Sequence, residues 1–141
     1  MVVVADTSPL TALIHLKKIY LIHMLYGEVY IPSTVAAELN SLVRFGYDIS
    51  FLNEDVYIIR KPKNEMFIKH LSEHLDEGEA EAIALATELK ADLLLIDEKM
   101  GKQYAEAQNI ACKGVVGVLI EAKQHELVQL VKPLLDDLIK I

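Results

Sequence analysis

Cysteine is almost missing from this chain of 141 residues: Cys112 is the only one. No internal disulfide can form, and the reading is a cytoplasmic protein. Long apolar runs are missing too. None approaches the ~18 residues that a membrane span needs. Met1-Val-Val-Val is too short for the apolar region of a secretion signal, and Asp6 follows at once. Positive charge is in short supply, with 14 Lys and Arg against 21 Asp and Glu and a net charge of −7. That balance argues against long, non-specific contact with nucleic acid. It leaves room for a small site at which a bound metal carries the positive charge. There is no internal repeat, low-complexity tract or linker. What is present is 52% hydrophobic and 25% charged, the composition of a globular protein. The length predicts one domain over residues 1–141 with a substantial core.

Residues 75–98 organise the rest. Leu75-Asp-Glu-Gly-Glu-Ala-Glu-Ala-Ile-Ala-Leu-Ala reads as the start of a helix, and Leu93-Leu-Leu-Ile-Asp-Glu98 as a buried strand ending in acid. On a wheel of ~100° per residue, Glu77, Glu81 and Glu88 share one side, predicted to be a solvated face. Ala82, Ile83, Ala86 and Leu89 form an apolar stripe, and Glu79 falls inside it. A carboxylate there needs a backbone cap, a basic residue or a metal, because an isolated buried charge is very costly. Leu93 to Ile96 is too apolar for a half-exposed strand and reads as a central strand of a parallel sheet.

In chain order, Val2–Ala5 reads as a buried strand ending at Asp6, and Ser8-Pro9 as the cap and first position of a helix carrying Leu10, Leu13 and Ile14. A second apolar segment runs to about Leu25. Glu28–Ile31 is a strand stopped by Pro32, and Ser33 caps a helix striped by Val35, Leu39 and Leu42, with Glu38 beside the stripe. Residues 43–55 carry no assignable element. Val56–Ile59 is a third strand, followed by a helix of about 65–74, the helix and strand of 75–98, a helix of about 99–108 and a short strand near Ile110–Cys112. Helices at Val115–Lys123 and Leu127–Ile141 end the chain. Strands alternating with helices imply an α/β fold with a mainly parallel sheet.

If the strands ending at Asp6 and Asp97 are parallel members of one sheet, both acids lie on the edge where open α/β sheets bind ligands. Glu38 and Glu79 lie in the first turns of helices starting at that edge. Four converging carboxylates repel one another unless protons or cations neutralise them. They are hard oxygen donors with no Cys or His at ligand spacing, which points to Mg²⁺ or Mn²⁺. Such a cluster suits phosphodiester hydrolysis, where metal activates water and stabilises charge on phosphate oxygens. Each residue also has a plainer reading. Asp76-x-x-Glu79 is a capping-box variant, Asp6 fits an Asx turn, Asp97 fits a helix N-cap, and Glu38 fits a side chain snorkelling outward. Ser8 and Glu98 are candidates for supporting the site. Lys99 and Lys102 are candidates for its rim, where a lysine acts as a point charge on phosphate.

Asp6-Thr-Ser-Pro-Leu10, Pro32-Ser-x-x-Ala-x-Glu38-Leu39, Gly78-Glu79-Ala-Glu-Ala-Ile-Ala-Leu-Ala86 and Leu94-Leu-Ile-Asp97-Glu98 resemble, in order and spacing, the PIN-domain family, in particular small prokaryotic members related to VapC toxins. The resemblance covers nearly the whole chain. It implies a three-layer α/β/α sandwich around a central parallel sheet. It also implies an acidic pocket of Asp6, Glu38, Glu79 and Asp97 binding Mg²⁺ or Mn²⁺, and endonuclease activity on single-stranded RNA, commonly with an antitoxin partner and a homodimer. The chain departs from the pattern in carrying Glu at 79, where many relatives carry Asp, and in the Glu98-Lys99-Met100 that follows the last acid. Two rival readings stand beside it: a non-catalytic regulator of the same fold acting through a protein partner, and a zinc peptidase through His70-x-x-Glu73-His74, with both histidines on one helix face.

Overall fold

The structure, a computed structural model, describes residues 1–140. Among them, strands β1 (Val3–Ala5), β2 (Val29–Pro32), β3 (Tyr57–Arg60), β4 (Leu93–Leu95) and β5 (Cys112–Lys113) form one sheet in the order β3-β2-β1-β4-β5. Every pairing is parallel. The helices are α1 (Thr7–His15), α2 (Tyr20–Tyr26), α3 (Ser33–Asn40), α4 (Glu65–Leu71), α5 (Glu77–Leu89), α6 (Lys99–Ala107), α7 (Val115–Gln124) and α8 (Lys132–Ile139).

The apolar strand runs follow from helices covering both faces. Side chains alternate across a strand. Val3, Ala5, Ile31, Leu93 and Leu95 point into a core shared with Leu10, Ile22, Val35 and Leu119 of α1, α2, α3 and α7. Val4, Leu94 and Ile96 point the other way, into a core with Leu71, Ile83, Leu85 and Ala105 of α4, α5 and α6. The result is the α/β/α sandwich, with a sheet that is parallel throughout. No helix among the described residues is long and apolar enough to cross a membrane.

Several local expectations differ. Pro32 does not stop β2 but is its last residue, in register with Arg60. Residues 43–55 fold into two 3₁₀ turns, Ser41–Phe45 and Ser50–Asn53, which no hydrophobic period could reveal. The last helix starts at Lys132, not Leu127, with Pro133 in its first turn, where a missing N–H costs no helix bond; Ile141 lies outside the described residues. Helix α5 is not one-sided, since every residue from Gly78 to Ala86 is buried. Glu81, expected in solvent, is 7% exposed. Only Glu77 and Glu88 of that predicted face are exposed, and Glu88 accepts hydrogen bonds from the backbone N–H groups of Lys63 and Asn64.

Candidate carboxylate site

The strand order places a switch point at the centre of the sheet. From β1 the chain moves outward through β2 to β3, and from β4 it moves the other way to β5. In open α/β sheets the crevice outside the carboxyl ends of the strands at such a point is where ligands bind. Asp6 follows β1 and Asp97 follows β4, one residue beyond Ile96. Ala5 is in register with Leu95, and the Asp6 N–H donates to the Leu95 carbonyl at 2.9 Å. Both acids therefore leave neighbouring strands at the same edge.

The other two arrive on helices. Helix α3 follows β2 directly, and Glu38 Oε2 accepts from the hydroxyl of Thr7, next to Asp6, at 2.6 Å. Glu38 is thus turned inward and does not snorkel. Helix α5 brings Glu79, which is 8% exposed. Its capping box with Asp76 is present: Asp76 Oδ1 accepts from the Glu79 N–H at 2.8 Å, and Glu79 Oε1 from the Asp76 N–H at 3.3 Å. The cap reading of Glu79 is borne out, and the cap uses only one of its carboxylate oxygens. The other, Oε2, is buried without a partner. Asp97 has the same division. Its Oδ1 accepts from the Val115 N–H at the start of α7, at 2.8 Å. It is not the cap of α6, since Glu98 takes that place and accepts from the Met100 N–H at 3.2 Å. Ser8 is not the cap of α1 either. The helix begins at Thr7, Asp6 holds the cap position without a side-chain cap bond, and Ser8 is exposed.

Three glycines make room for this arrangement. A Cβ on Gly78 would stand 2.5 Å from Glu38 Oε1, and one on Gly114 would collide with Asp97 Oδ1. A Cβ on Gly101 would press on Ile96 and lie 3.6 Å from Glu79 Oε2. Each of the three outer carboxylates therefore rests against a position that has no side chain.

Electrostatics mark the same place. Burial pushes the Asp6 carboxyl up to about 7; a backbone hydrogen bond from Thr7 opposes this, while the charges of Asp76, Glu38 and Asp97 add to it. Burial, then sharing with Asp76, holds Glu79 well above the usual carboxylate range. Asp76, read from the sequence only as a cap, is thus a fifth acid of the neighbourhood. Its cap role hid it.

As placed, no three Asp, Glu, His or Cys side chains among the described residues form a ready-made metal cage. The donors nonetheless suit a hard divalent ion in kind. They are all oxygen, they include an orphaned buried oxygen on Glu79, and they repel one another without a cation. The residues that would hold such an ion are Asp6, Glu38, Glu79 and Asp97. Lys102 is half-buried, with Nζ 3.3 Å from the empty Cβ position of Gly114 that Asp97 Oδ1 also adjoins, whereas Lys99 is exposed at the start of α6. The zinc-peptidase motif does not assemble. Helix α4 ends at Leu71, and His74 lies beyond it, stacked on Tyr104 at 6.1 Å. A separate concavity of about 700 Å³, lined by Ile14, His15, Lys17, Phe45, Tyr47 and Asp48 among others, lies at the far end of α1 from Asp6.

Comparison with known proteins agrees with the geometry. The profile of the family DUF3368, described as a PIN domain, matches residues 2–141. The chain belongs to the PIN-domain family, whose members are in general metal-dependent nucleases. A solved structure with the same fold is a PilT N-terminus domain protein from the hyperthermophilic archaeon Sulfolobus solfataricus P2. It is 21% identical, with a TM-score of 0.56, over 86% of this chain and 93% of that one. No curated protein matches the sequence.

Proposed function

We propose that this PIN domain is an endoribonuclease that cleaves single-stranded RNA with Mg²⁺ or Mn²⁺ held by Asp6, Glu38, Glu79 and Asp97. The observation that carries the reading is the tethering of the outer acids. Glu38, Glu79 and Asp97 each have one oxygen engaged by a donor of this chain and the other unclaimed among the described residues. That pattern orients a carboxylate while leaving it a free ligand atom, as the partners around metal ligands commonly do. A bound divalent ion would supply an activated water and charge stabilisation at phosphate oxygens. The chain's own residues set the acids at the sheet edge, and Lys102, with Lys99 further out, positions a phosphate of the RNA.

In the same reading the protein is the toxin of a toxin–antitoxin pair and a homodimer. A protein partner or a second copy would cover exposed apolar side chains such as Met24, Val116 and Ile120. The deciding experiment is cleavage of unstructured and structured RNA. Activity is expected on the unstructured RNA with Mn²⁺ or Mg²⁺, to vanish with chelator, and to fall by two orders of magnitude or more, on the order of 10²-fold, in Asp6→Asn. Cleavage that persists in both conditions would remove these acids from the mechanism. Absence of cleavage by the metal-loaded wild type would favour the regulator reading.

A further inference from the structure

We infer that Glu81 is a positioning residue for the carboxylate site: it locks the amino end of α3 to α5 and so fixes Glu38 relative to Glu79. The inference rests on the metal-site reading above.

Helix α3 begins without a cap of its own. Pro32 occupies the cap position, and no side chain there accepts from the first turn. The first N–H groups of a helix need acceptors from elsewhere. Glu81 supplies one of them from α5 and accepts from two hydroxyls of the same turn. Its Oε1 accepts from the Thr34 N–H and the Ser33 hydroxyl, each at 3.4 Å, and its Oε2 accepts from the Thr34 hydroxyl. Both carboxylate oxygens of this buried side chain are thus held by the first turn of α3. Glu81 therefore belongs to the joint between the two helices.

That joint sits between two site residues. Glu38 lies one helical turn beyond Thr34 on α3. Glu79 lies two positions before Glu81 on α5, and Gly78, before it, is the position whose empty Cβ space Glu38 Oε1 fills at 2.5 Å. The two helices thus touch at Glu81–Thr34 and again at Gly78–Glu38. If the first contact is released, α3 can slide or turn against α5, and Glu38 moves with it. Misplacement of a ligand by about 1 Å is enough to weaken a site.

A side chain that only stabilised the fold would lower the melting temperature and leave the metal dependence alone. The test is thermal unfolding of the full chain during Mn²⁺ titration. Glu81→Ala should raise the Mn²⁺ concentration giving half of the melting-temperature increase by about 10- to 100-fold, the usual cost of losing a partner behind a metal ligand. Thr34→Val, which removes the hydroxyl from the other side of the joint, should shift it in the same direction. Glu81→Gln keeps an acceptor oxygen and the volume, and should recover part of the response. Ile83→Val, a buried change on the same helix, should lower the melting temperature with the wild-type Mn²⁺ midpoint. An unaltered midpoint in Glu81→Ala overturns the inference while the metal site stands; if that variant does not fold, an unaltered midpoint in Thr34→Val does the same. A wild-type protein indifferent to Mn²⁺ defeats the metal-site reading and this inference with it.

Discussion

A carboxyl group that is 3% exposed, with its pKa pushed up to about 7, holds its proton more tightly in the folded chain than in the unfolded one. The sign of the linkage follows for Asp6. Its protonated form stabilises the metal-free fold fully below the ordinary value of 3.8, and this contribution is lost as pH rises from there through about 7. A shift of that size corresponds to roughly 4 kcal/mol. Glu79 acts in the same direction. In EDTA, the difference in melting temperature between wild type and Asp6→Asn should therefore widen in favour of the variant between pH 4 and pH 7. Thermal scans across that range check it, and parallel curves would show that Asp6 is not strained by burial. Asp6 and Asp97 were legible in the sequence because an apolar run that ends in acid is a strong local pattern. Glu81 was not. A helical wheel groups it with Glu77 and Glu88, and it cannot know that α3 covers that part of the face.

Helix α5 carries the densest set of constraints, and its first turn separates stability from function. Alanine is a better helix former than glycine by roughly 0.5–1 kcal/mol, but at position 78 its methyl group would displace the Glu38 carboxylate, the far end of a flexible side chain. Gly78→Ala should leave the melting temperature in EDTA unchanged or slightly raised and reduce RNA cleavage at least tenfold, about the loss expected for a displaced ligand. Equal activity would mean that Glu38 need not stay where it is. Asp76→Ala should behave in the opposite way on stability, costing about 0.5–2 kcal/mol through the missing cap. Asp76→Asn, which keeps a capping oxygen, should lose much less; denaturant unfolding of the pair distinguishes cap from charge. The cores of the inner strands β1, β2 and β4 were readable to within a residue because both faces of the sheet are covered there, whereas the edge strand expected near Ile110–Cys112 is Cys112–Lys113 and only half-buried. The 3₁₀ turns of residues 41–53 were not, since they are held by loop geometry with no repeating pattern.

Across the whole molecule, an excess of acid makes any attraction for RNA local. If Lys99 and Lys102 each neutralise a phosphate, replacing both with Ala should lower the slope of log affinity against log salt by about 0.7 per phosphate left unneutralised on a single strand. Titrations in Ca²⁺ at several ionic strengths would measure it, and an unchanged slope would place the RNA elsewhere. The strand order has a consequence of another kind, in time. The centre of the sheet joins β1 to β4, pairing Val3 with Leu93, and the Val2 N–H reaches across 90 positions to Asp92. A chain emerging from the ribosome carries Asp6 and Glu38 long before β4 exists to pair with β1, and pairings so distant in sequence form slowly. The meeting of Asp6 with Asp97 at the sheet edge consequently waits for the pairing of β1 with β4. On the proposed reading, a nascent chain that has not yet delivered Asp97 lacks the fourth acid, so a cell making this protein would meet no cleavage before β4 and Asp97 are made.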